Sequence, residues 1–278
     1  MSHVAPVRVG RCEVRTICEG FAPIALADEF AGRPVNWAAE REAHPWAFHG
    51  VGAWAWHVHA FVVETPDETV VVDAGVGPFG PYRPWEHWNA DAWDGEDLAA
   101  VSHVVLTHLH ADHAGGVERA ELEPRFPNAA YHLHPADLRF FEGAHEDAYV
   151  AIRPAERLEE LGVLRTEGTN HDVVPGIRLI HSPGHTPGHR SVLLRDDGVG
   201  LALTGDLLHL PLQVREREWF SAHDEDPLLG VASRRLLLWR AASQGYRVAV
   251  SHFAEPFGRI EDGRWRGGED RSHRDPFG

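Results

Sequence analysis

Apolar positions along this chain gather into short, mostly β-branched runs, each closed by glycine, proline or a polar turn. Residues 7–17 alternate valine with arginine and small residues and predict one or two edge strands. From residue 19 to about 52 the pattern breaks up around Pro23, Gly32, Pro34 and Pro45, leaving only a weak helix over 36–42. Two paired strands follow over 53–63 and 69–73, joined by a turn at 64–68, and residues 78–94 predict a loop carrying Trp85, Trp88 and Trp93. The run at 101–106 and a short one at 129–132 predict further strands, followed by helices over 135–141 and 155–161. A second group of strands is expected at 173–181, 191–195, 200–204 and 246–250, with an Asp196-Asp197-Gly198 turn between the middle two. Asp226 stands as an N-cap before Pro227 at the first helical position, opening a helix that runs to near Gly245. The segment from Glu261, rich in glycine, aspartate and arginine, predicts a loose tail. Two successive groups of strands, each followed by helices, predict one domain over 1–278 made of two similar halves. Residues 1–52 form its N-terminal strand and loop segment, 53–260 its core and 261–278 its tail.

The chemistry gathers where these runs end. Thr107-His108-Leu109-His110-Ala111-Asp112-His113 follows the run at 101–106 directly. Residues two apart at a strand end point the same way, so His108 and His110 can grip one ion together, and after the turn Asp112 and His113 can face a second. Neutral imidazole and carboxylate are ligand types that zinc favours. Further candidates close later runs: His185 after Gly184, Asp206 after Gly205, and His252 after Ser251. Together they suffice for two four- or five-coordinate ions if Asp206 bridges, and Gly184 and Gly205 let the backbone turn tightly beside them. Asp73, before Ala74-Gly75, ends its own strand where sites form in open α/β sheets, although a plain turn residue fits there equally.

Composition narrows the functions. With 42 acidic against 26 basic residues the formal charge is −16, which opposes binding to nucleic acid. Every basic residue is arginine, so lysine-based covalent chemistry is excluded. Cys12 and Cys18 are too few for a disulfide framework or a cysteine-based zinc site. The N-terminus has neither the basic start nor the apolar run of a signal peptide, and no apolar stretch approaches the roughly 18 residues that cross a membrane. A cytoplasmic location is expected. Because the chain holds 21 histidines, spacing rather than residue type has to carry the argument.

The joint pattern His108-Leu109-His110-Ala111-Asp112-His113, with His185, Asp206 and His252 downstream, resembles the metallo-β-lactamase superfamily over roughly residues 50–260. The resemblance implies an α/β fold, a four-layer αββα sandwich of two mixed sheets flanked by helices, with metals at one edge between the sheets. It implies one ion on His108, His110 and His185, another on Asp112, His113 and His252, with Asp206 bridging and Asp73 orienting ligands from behind. Two Zn²⁺ ions are expected, with Mn, Fe or Co as alternatives, and a hydroxide held between them would attack an ester, lactone, amide or phosphoryl centre. Asp112 is placed to pass the proton to the leaving group.

Within the superfamily the chain is most similar to the quorum-quenching lactonase and methyl-parathion-hydrolase-like branch. In the acyl-homoserine lactonases a tyrosine three residues after the bridging aspartate contacts substrate. Here that position is His209, which can still donate a hydrogen bond to a developing oxyanion. A single-iron, persulfide-dioxygenase-like oxidoreductase and a thiolester hydrolase of glyoxalase II type are the alternatives. The expected partner is a small-molecule substrate, without nucleic acid or membrane, and with homodimerisation left open. Seven of the ten tryptophans precede residue 100 and could serve core, subunit contact or an apolar wall over the site. His189 is expected to pack behind the site, and His57 and His59 away from the pocket. His3, His44, His145, His171, His223 and His273 are expected at the surface.

Overall fold

The structure is a computed structural model that describes residues 4–29, 34–77, 87–119, 123–147 and 149–267. Trp85, His3, His273, most of the 78–94 loop and the end of the tail lie outside the described residues. The first sheet holds nine strands: β1 (Val7–Val9), β2 (Cys12–Ala25), β3 (Phe48–His49), β4 (Ala53–Glu64), β5 (Thr69–Val72), β6 (His87–Trp88), β7 (Val101–Val105), β8 (Ala130–Leu133) and β9 (Leu164–Thr166). Its order is β1-β2-β4-β5-β7-β8-β9, with β3 on β4 and β6 on β2. The second sheet holds seven strands in sequence order: β10 (Asp172–Val174), β11 (Ile177–His181), β12 (Arg190–Asp196), β13 (Val199–Leu203), β14 (Arg247–Ala249), β15 (Phe257–Glu261) and β16 (Arg264–Gly267). Both sheets are mixed: β5, β7, β8 and β9 run parallel in the first, and β13 and β14 in the second.

Strand alternation builds the layers. Phe61, Val63, Val70, Val72 and Val105 face inward from the first sheet and meet Leu179, Val192, Leu194, Leu201 and Leu203 of the second in one buried core. The intervening residues Ala60, Val62, Val71 and Val104 point outward and pack on other elements. The helices are α1 (Leu26–Glu29), α2 (Trp37–Ala43), α3 (Ala111–Ala114), α4 (Pro135–Phe140), α5 (Ile152–Glu160), α6 (Leu212–Arg215) and α7 (Pro227–Ser243). α5 covers the outside of the first sheet with Ile152, Ala155 and Leu158. α7 covers the second with Leu237, Leu238 and Ala241, set against Leu193, Ala202 and Val248. The result is the expected helix–sheet–sheet–helix sandwich. Among the described residues no helix is long and apolar enough to cross a membrane.

Where the structure departs from the sequence pattern, the cause is local. β2 does not stop near residue 17 but continues to Ala25, because its pairing with β4 shifts register between Cys18 and Gly20. This β-bulge breaks the period of two, so Ile17 and Ile24, an odd number of residues apart, both pack with even-numbered residues of β4. The expected strand at 173–181 is two strands turned at Pro175-Gly176, and β9 is a short strand with no apolar signature. Residues 257–267 form a hairpin in which Trp265 is buried, so the tail is ordered further than a loose segment from Glu261 allows.

α7 begins as its sequence predicts. The Asp226 side chain accepts from Leu229 N at 3.0 Å, with Pro227 in the first turn, and the Asp226 N–H donates to Gly184 O at 2.8 Å. Replacing Asp226 with alanine should lower stability by about 1 kcal/mol in urea denaturation with an unchanged m value. An unmoved midpoint would show that the cap contributes nothing.

Candidate metal centre

Each candidate ligand is delivered by the end of a strand. β7 runs out into Thr107 and His108, and α3 then carries Asp112 and His113 on a single turn. His185 lies on the loop between β11 and β12, Asp206 follows β13, and His252 follows β14. All but the half-buried His110 are almost wholly buried, Asp112 being the most exposed of the rest at 5%. They form two sets, His108–His110–His185–Asp206 and Asp112–His113–Asp206–His252, and within each the donor atoms lie within 4.8 Å of one another.

In the first set His110 Nδ1 is 2.9 Å from His108 Nε2 and 3.0 Å from His185 Nε2, while Asp206 Oδ2 is 3.2 Å from His185 Nε2. In the second, Asp206 Oδ1 is 3.1 Å from His113 Nε2 and 3.0 Å from His252 Nε2, and Asp112 Oδ2 is 3.2 Å from His113 Nε2. Asp206 therefore reaches both sets, with Oδ2 lying between His185 and His252, 3.0 Å from the latter's Nε2.

The far side of four of the five rings is held by a hydrogen bond. His113 Nδ1 donates to Asp73 Oδ2 at 2.7 Å, His252 Nδ1 to His57 O at 2.7 Å and His185 Nδ1 to Asp224 Oδ1 at 3.1 Å. His108 Nδ1 meets Thr107 Oγ1 at 3.0 Å, and that hydroxyl donates to Asp73 Oδ2. Protons placed on these outer nitrogens leave the inner ones as lone pairs, the orientation metal-bound imidazoles require. Asp73 itself sits at φ +61°, a strained backbone that aspartate tolerates better than most residues.

Two glycines permit the approach. Gly184 has φ +135°, and a Cβ there would fall 2.0 Å from Gly230 N. Gly205 has φ +53°, and a Cβ would meet His189 Nε2 at 2.5 Å, the atom that accepts from Asp206 N at 3.0 Å. His189 thus packs directly behind the centre, as expected.

The electrostatics of the centre balance buried carboxylates against buried imidazoles. Burial opposes any charge on His113 and His185, yet Asp206, Asp112 and Asp73 raise His113 well above its usual range, and Asp206 and Asp224 lift His185 to about 10. Burial and neighbouring imidazoles drive His108 well down and His110 to about 3. Burial works against the ionised forms of Asp112 and Asp206, but surrounding histidines hold both below the usual carboxylate range. Asp112 Oδ2, His113 Nε2 and Asp206 Oδ1 are buried without a hydrogen-bond partner. Bare donors converging on common points fit divalent ions, and their imidazole and carboxylate chemistry suits zinc.

The two donor sets lie at the floor of a cavity of about 500 Å³ reached by His110, Asp112, His185, Asp206 and His209. Ile24, Trp54, Trp56, Phe141, Tyr149, Val150 and Ala222 form its apolar walls, and Asp147, His223, Asp224 and Glu225 complete its lining. His209 Nε2 is 3.4 Å from Asp206 Oδ2, and its ring stacks on His252 with centroids 5.5 Å apart. His57 and His59 do not line this cavity. His223 does, while remaining at the surface as expected with its side chain 49% exposed, because the loop before α7 folds over the site.

Several residues went unnoticed in the sequence. Asp224 holds His185, and Glu29, 1% exposed with both oxygens unpartnered, lies 3.7 Å from the rings of His209 and His223. Glu19 accepts from Val76 N and Trp93 Nε1 and so fixes the loop after Asp73. Asp137 accepts from Thr186 Oγ1 and Gly188 N, pinning the loop that carries His185. Each is an acidic residue that nothing local separates from a solvated one, Asp137 at the start of a predicted helix and the others in segments without periodicity. A strand reading carried through the bulge would at least have placed Ile24 on the pocket side.

The chain matches the family model described as Metallo-beta-lactamase superfamily over residues 53–250. An N-acyl homoserine lactonase of Bacillus sp is 30% identical over 143 residues, 51% of this chain and 51% of that protein. One of Bacillus cereus is 33% identical over 108 residues, 39% of this chain and 37% of that protein. The chain matches about half or less of the length of these relatives. Among solved structures, AidC, described as a dizinc quorum-quenching lactonase in complex with a product, N-hexnoyl-L-homoserine, superposes with a TM-score of 0.80. The overlap covers 96% of this chain and 98% of that one at 19% identity, a likeness of fold.

Asp137 gives the site's supporting shell a measurable pH signature. Burial raises its carboxyl to about 6, against the bonds from Gly188 and Thr186 that favour the ionised form. Well below about pH 4 the group is protonated in folded and unfolded chains alike. As pH rises toward 6 the unfolded chain ionises first, so stability falls by something on the order of 3 kcal/mol. Asp137→Asn cannot ionise, and should gain stability relative to the native chain between about pH 4 and 6, then keep that gain above it. Parallel pH profiles in urea denaturation would refute this.

Proposed function

Because the chain belongs to the metallo-beta-lactamase superfamily, we propose that it is a dinuclear metal-dependent hydrolase of a small ester-like substrate, lactones first, aryl esters or phosphotriesters next. The observation that carries this reading is the pair of buried donor sets sharing Asp206 on the floor of a cavity large enough for a small molecule. His108, His110 and His185 would hold one ion, Asp112, His113 and His252 the other, and Asp206 both. Zn²⁺ fits these donors best, although Mn, Fe and Co share them. Bound there, the ions would supply a water that ionises near neutral pH and Lewis acidity toward the substrate's carbonyl or phosphoryl oxygen.

The chain's own residues supply the rest. Asp112, which lines the cavity, is placed to move a proton to the leaving group. His209 Nε2, beside Asp206, can donate to the oxygen on which charge develops. Trp54, Trp56, Phe141 and Tyr149 offer an apolar wall for the non-reacting part of the substrate. Asp73 and Asp224 keep His113 and His185 turned inward.

Two features favour a neutral substrate over glutathione thiolesters. Among the described residues no arginine lines the cavity, and Asp147, Asp224 and Glu225 make its lining acidic. A complete second donor set separates this reading from a single-iron oxidoreductase of the same fold. The lactone preference rests on the acyl-homoserine lactonases among the relatives.

The purified chain should carry at least two equivalents of metal, lose hydrolysis on chelation and regain it with zinc. A panel of γ-lactones, acyl-homoserine lactones, p-nitrophenyl esters, a paraoxon-type triester, a thiolester and a β-lactam should place a lactone first. Less than one equivalent, with turnover indifferent to chelation, would sink the proposal. His209→Phe should lower kcat by roughly 10²-fold, the cost of losing one oxyanion donor, while His209→Tyr, which keeps a donor, loses less. An unchanged kcat in His209→Phe would remove that residue from the reaction.

A further inference from the structure

A separate group of donors lies on β2 and β4, outside the cavity. Strand alternation puts His57 and His59 on one face of β4, and Cys18 of β2 is the registered neighbour of His59. Cys18 Sγ is 3.7 Å from His57 Nδ1, and the two imidazoles stack with centroids 5.5 Å apart. One donor atom from each of the three falls within 4.8 Å of the others.

His59 is the telling member. It is 2% exposed, and its Nε2 donates to Phe253 O at 2.9 Å, which leaves the lone pair on Nδ1. That Nδ1 is buried and has no hydrogen-bond partner. A ring N–H fixed on a backbone carbonyl, with the other nitrogen bare, is how proteins prepare a histidine for a metal. Burial keeps His57 and His59 neutral, the ligating form, with His57 held down to about 4 and His59 to about 3. Tetrahedral zinc at about 2.3 Å from sulfur and 2.0 Å from nitrogen holds such donors about 3.6 Å apart, close to the Cys18–His57 separation. The bulge that begins at Cys18 is the kind of irregularity that re-aims a side chain at a site.

We propose that Cys18, His57 and His59 bind one zinc-type cation at a site distinct from the catalytic pair, with a coordination position left for water. Thiolate with two imidazoles selects zinc over hard cations such as magnesium or calcium. Binding forms the Cys18 sulfur–metal bond and releases the thiol proton to solvent. The ion would clasp β2 to β4 directly behind His252, whose Nδ1 is anchored on His57 O and whose carbonyl accepts from His57 N.

Sulfur makes the site spectroscopically separable, since the catalytic donors are nitrogen and oxygen alone and Cys12 is the only other cysteine. The full chain loaded with Co²⁺ should show a near-ultraviolet sulfur-to-cobalt charge-transfer band corresponding to one equivalent. The band should persist in Cys12→Ala and in Asp206→Asn and vanish in Cys18→Ser, so its fate is independent of the hydrolase reading. Absence of the band in the unsubstituted chain, or its survival in Cys18→Ser, would overturn the proposal. If Cys18→Ser does not fold, the native chain suffices. Zinc should slow modification of Cys18 by an aromatic disulfide at least tenfold, followed by mass spectrometry, and an unchanged rate overturns the site.

Discussion

Asp206 is the charge on which the arrangement turns. It lies at the end of β13, is 4% exposed, and has imidazole nitrogens of His113, His185, His209 and His252 within 3.4 Å of its two oxygens. A carboxylate so placed cannot rely on water and must be matched by positive charge or by hydrogen-bond donors. Imidazoles alone match it imperfectly, because each proton placed on an inner nitrogen is opposed by burial and by the neighbouring rings. Two cations, one on each side as in the proposed function, would satisfy the carboxylates and bare nitrogens together. The same reasoning explains why Asp73 and Asp224 stand behind the rings: they fix outer protons so that inner lone pairs converge.

That convergence requires loops from both sheets to be held with a precision that loop backbone alone lacks. The molecule meets the requirement with buried polar clips on each loop. Glu19 grips the backbone at Val76, and Asp137 grips Thr186 and Gly188. Gln213 Oε1 accepts from His209 N and Leu210 N, while Arg234 of α7 donates to Leu207 O and Trp219 O. The start of α7 adds bonds from Glu225 N and Asp226 N to His185 O and Gly184 O. Each clip is a buried polar group whose own desolvation is offset by the backbone donors or acceptors it satisfies. Loop placement and polar burial are one problem solved together.

This division explains what the sequence discloses. His108, His110, Asp112 and His113 stand together on the chain, and His185, Asp206 and His252 each close an apolar run, so their gathering follows from strand topology. The layers follow too, since Val70-Val71-Val72 must send alternate side chains to opposite faces. The clips do not follow. Asp137 looks like a helix-start acid and Glu19 like the beginning of a loop, because the partners that define them lie 49 to 57 residues away or more. The extension of β2 was hidden for a different reason: the bulge shifts the period of two within the strand, and Pro23 reads as a break. His223 illustrates the limit in the other direction. Its neighbours carry no pattern, and only the closure of the loop before α7 brings it to the cavity.

The bulge in β2 also connects the pocket to the strand pair behind it. One consequence faces the cavity, where Ile24 joins Trp54 and Trp56 as a wall. The other lies on the opposite face of the same strands, where Cys18 comes opposite His59. Between them runs the backbone of β4, whose His57 carbonyl holds the His252 ring and whose amides bond to Ser251 and His252 carbonyls. Any change in how β2 grips β4 at Cys18 must therefore be felt at His252 through one strand of covalent backbone and a 2.7 Å hydrogen bond, without a rearrangement of either sheet. Wall, anchor and the cysteine–histidine cluster are thus three readings of one irregularity in strand register.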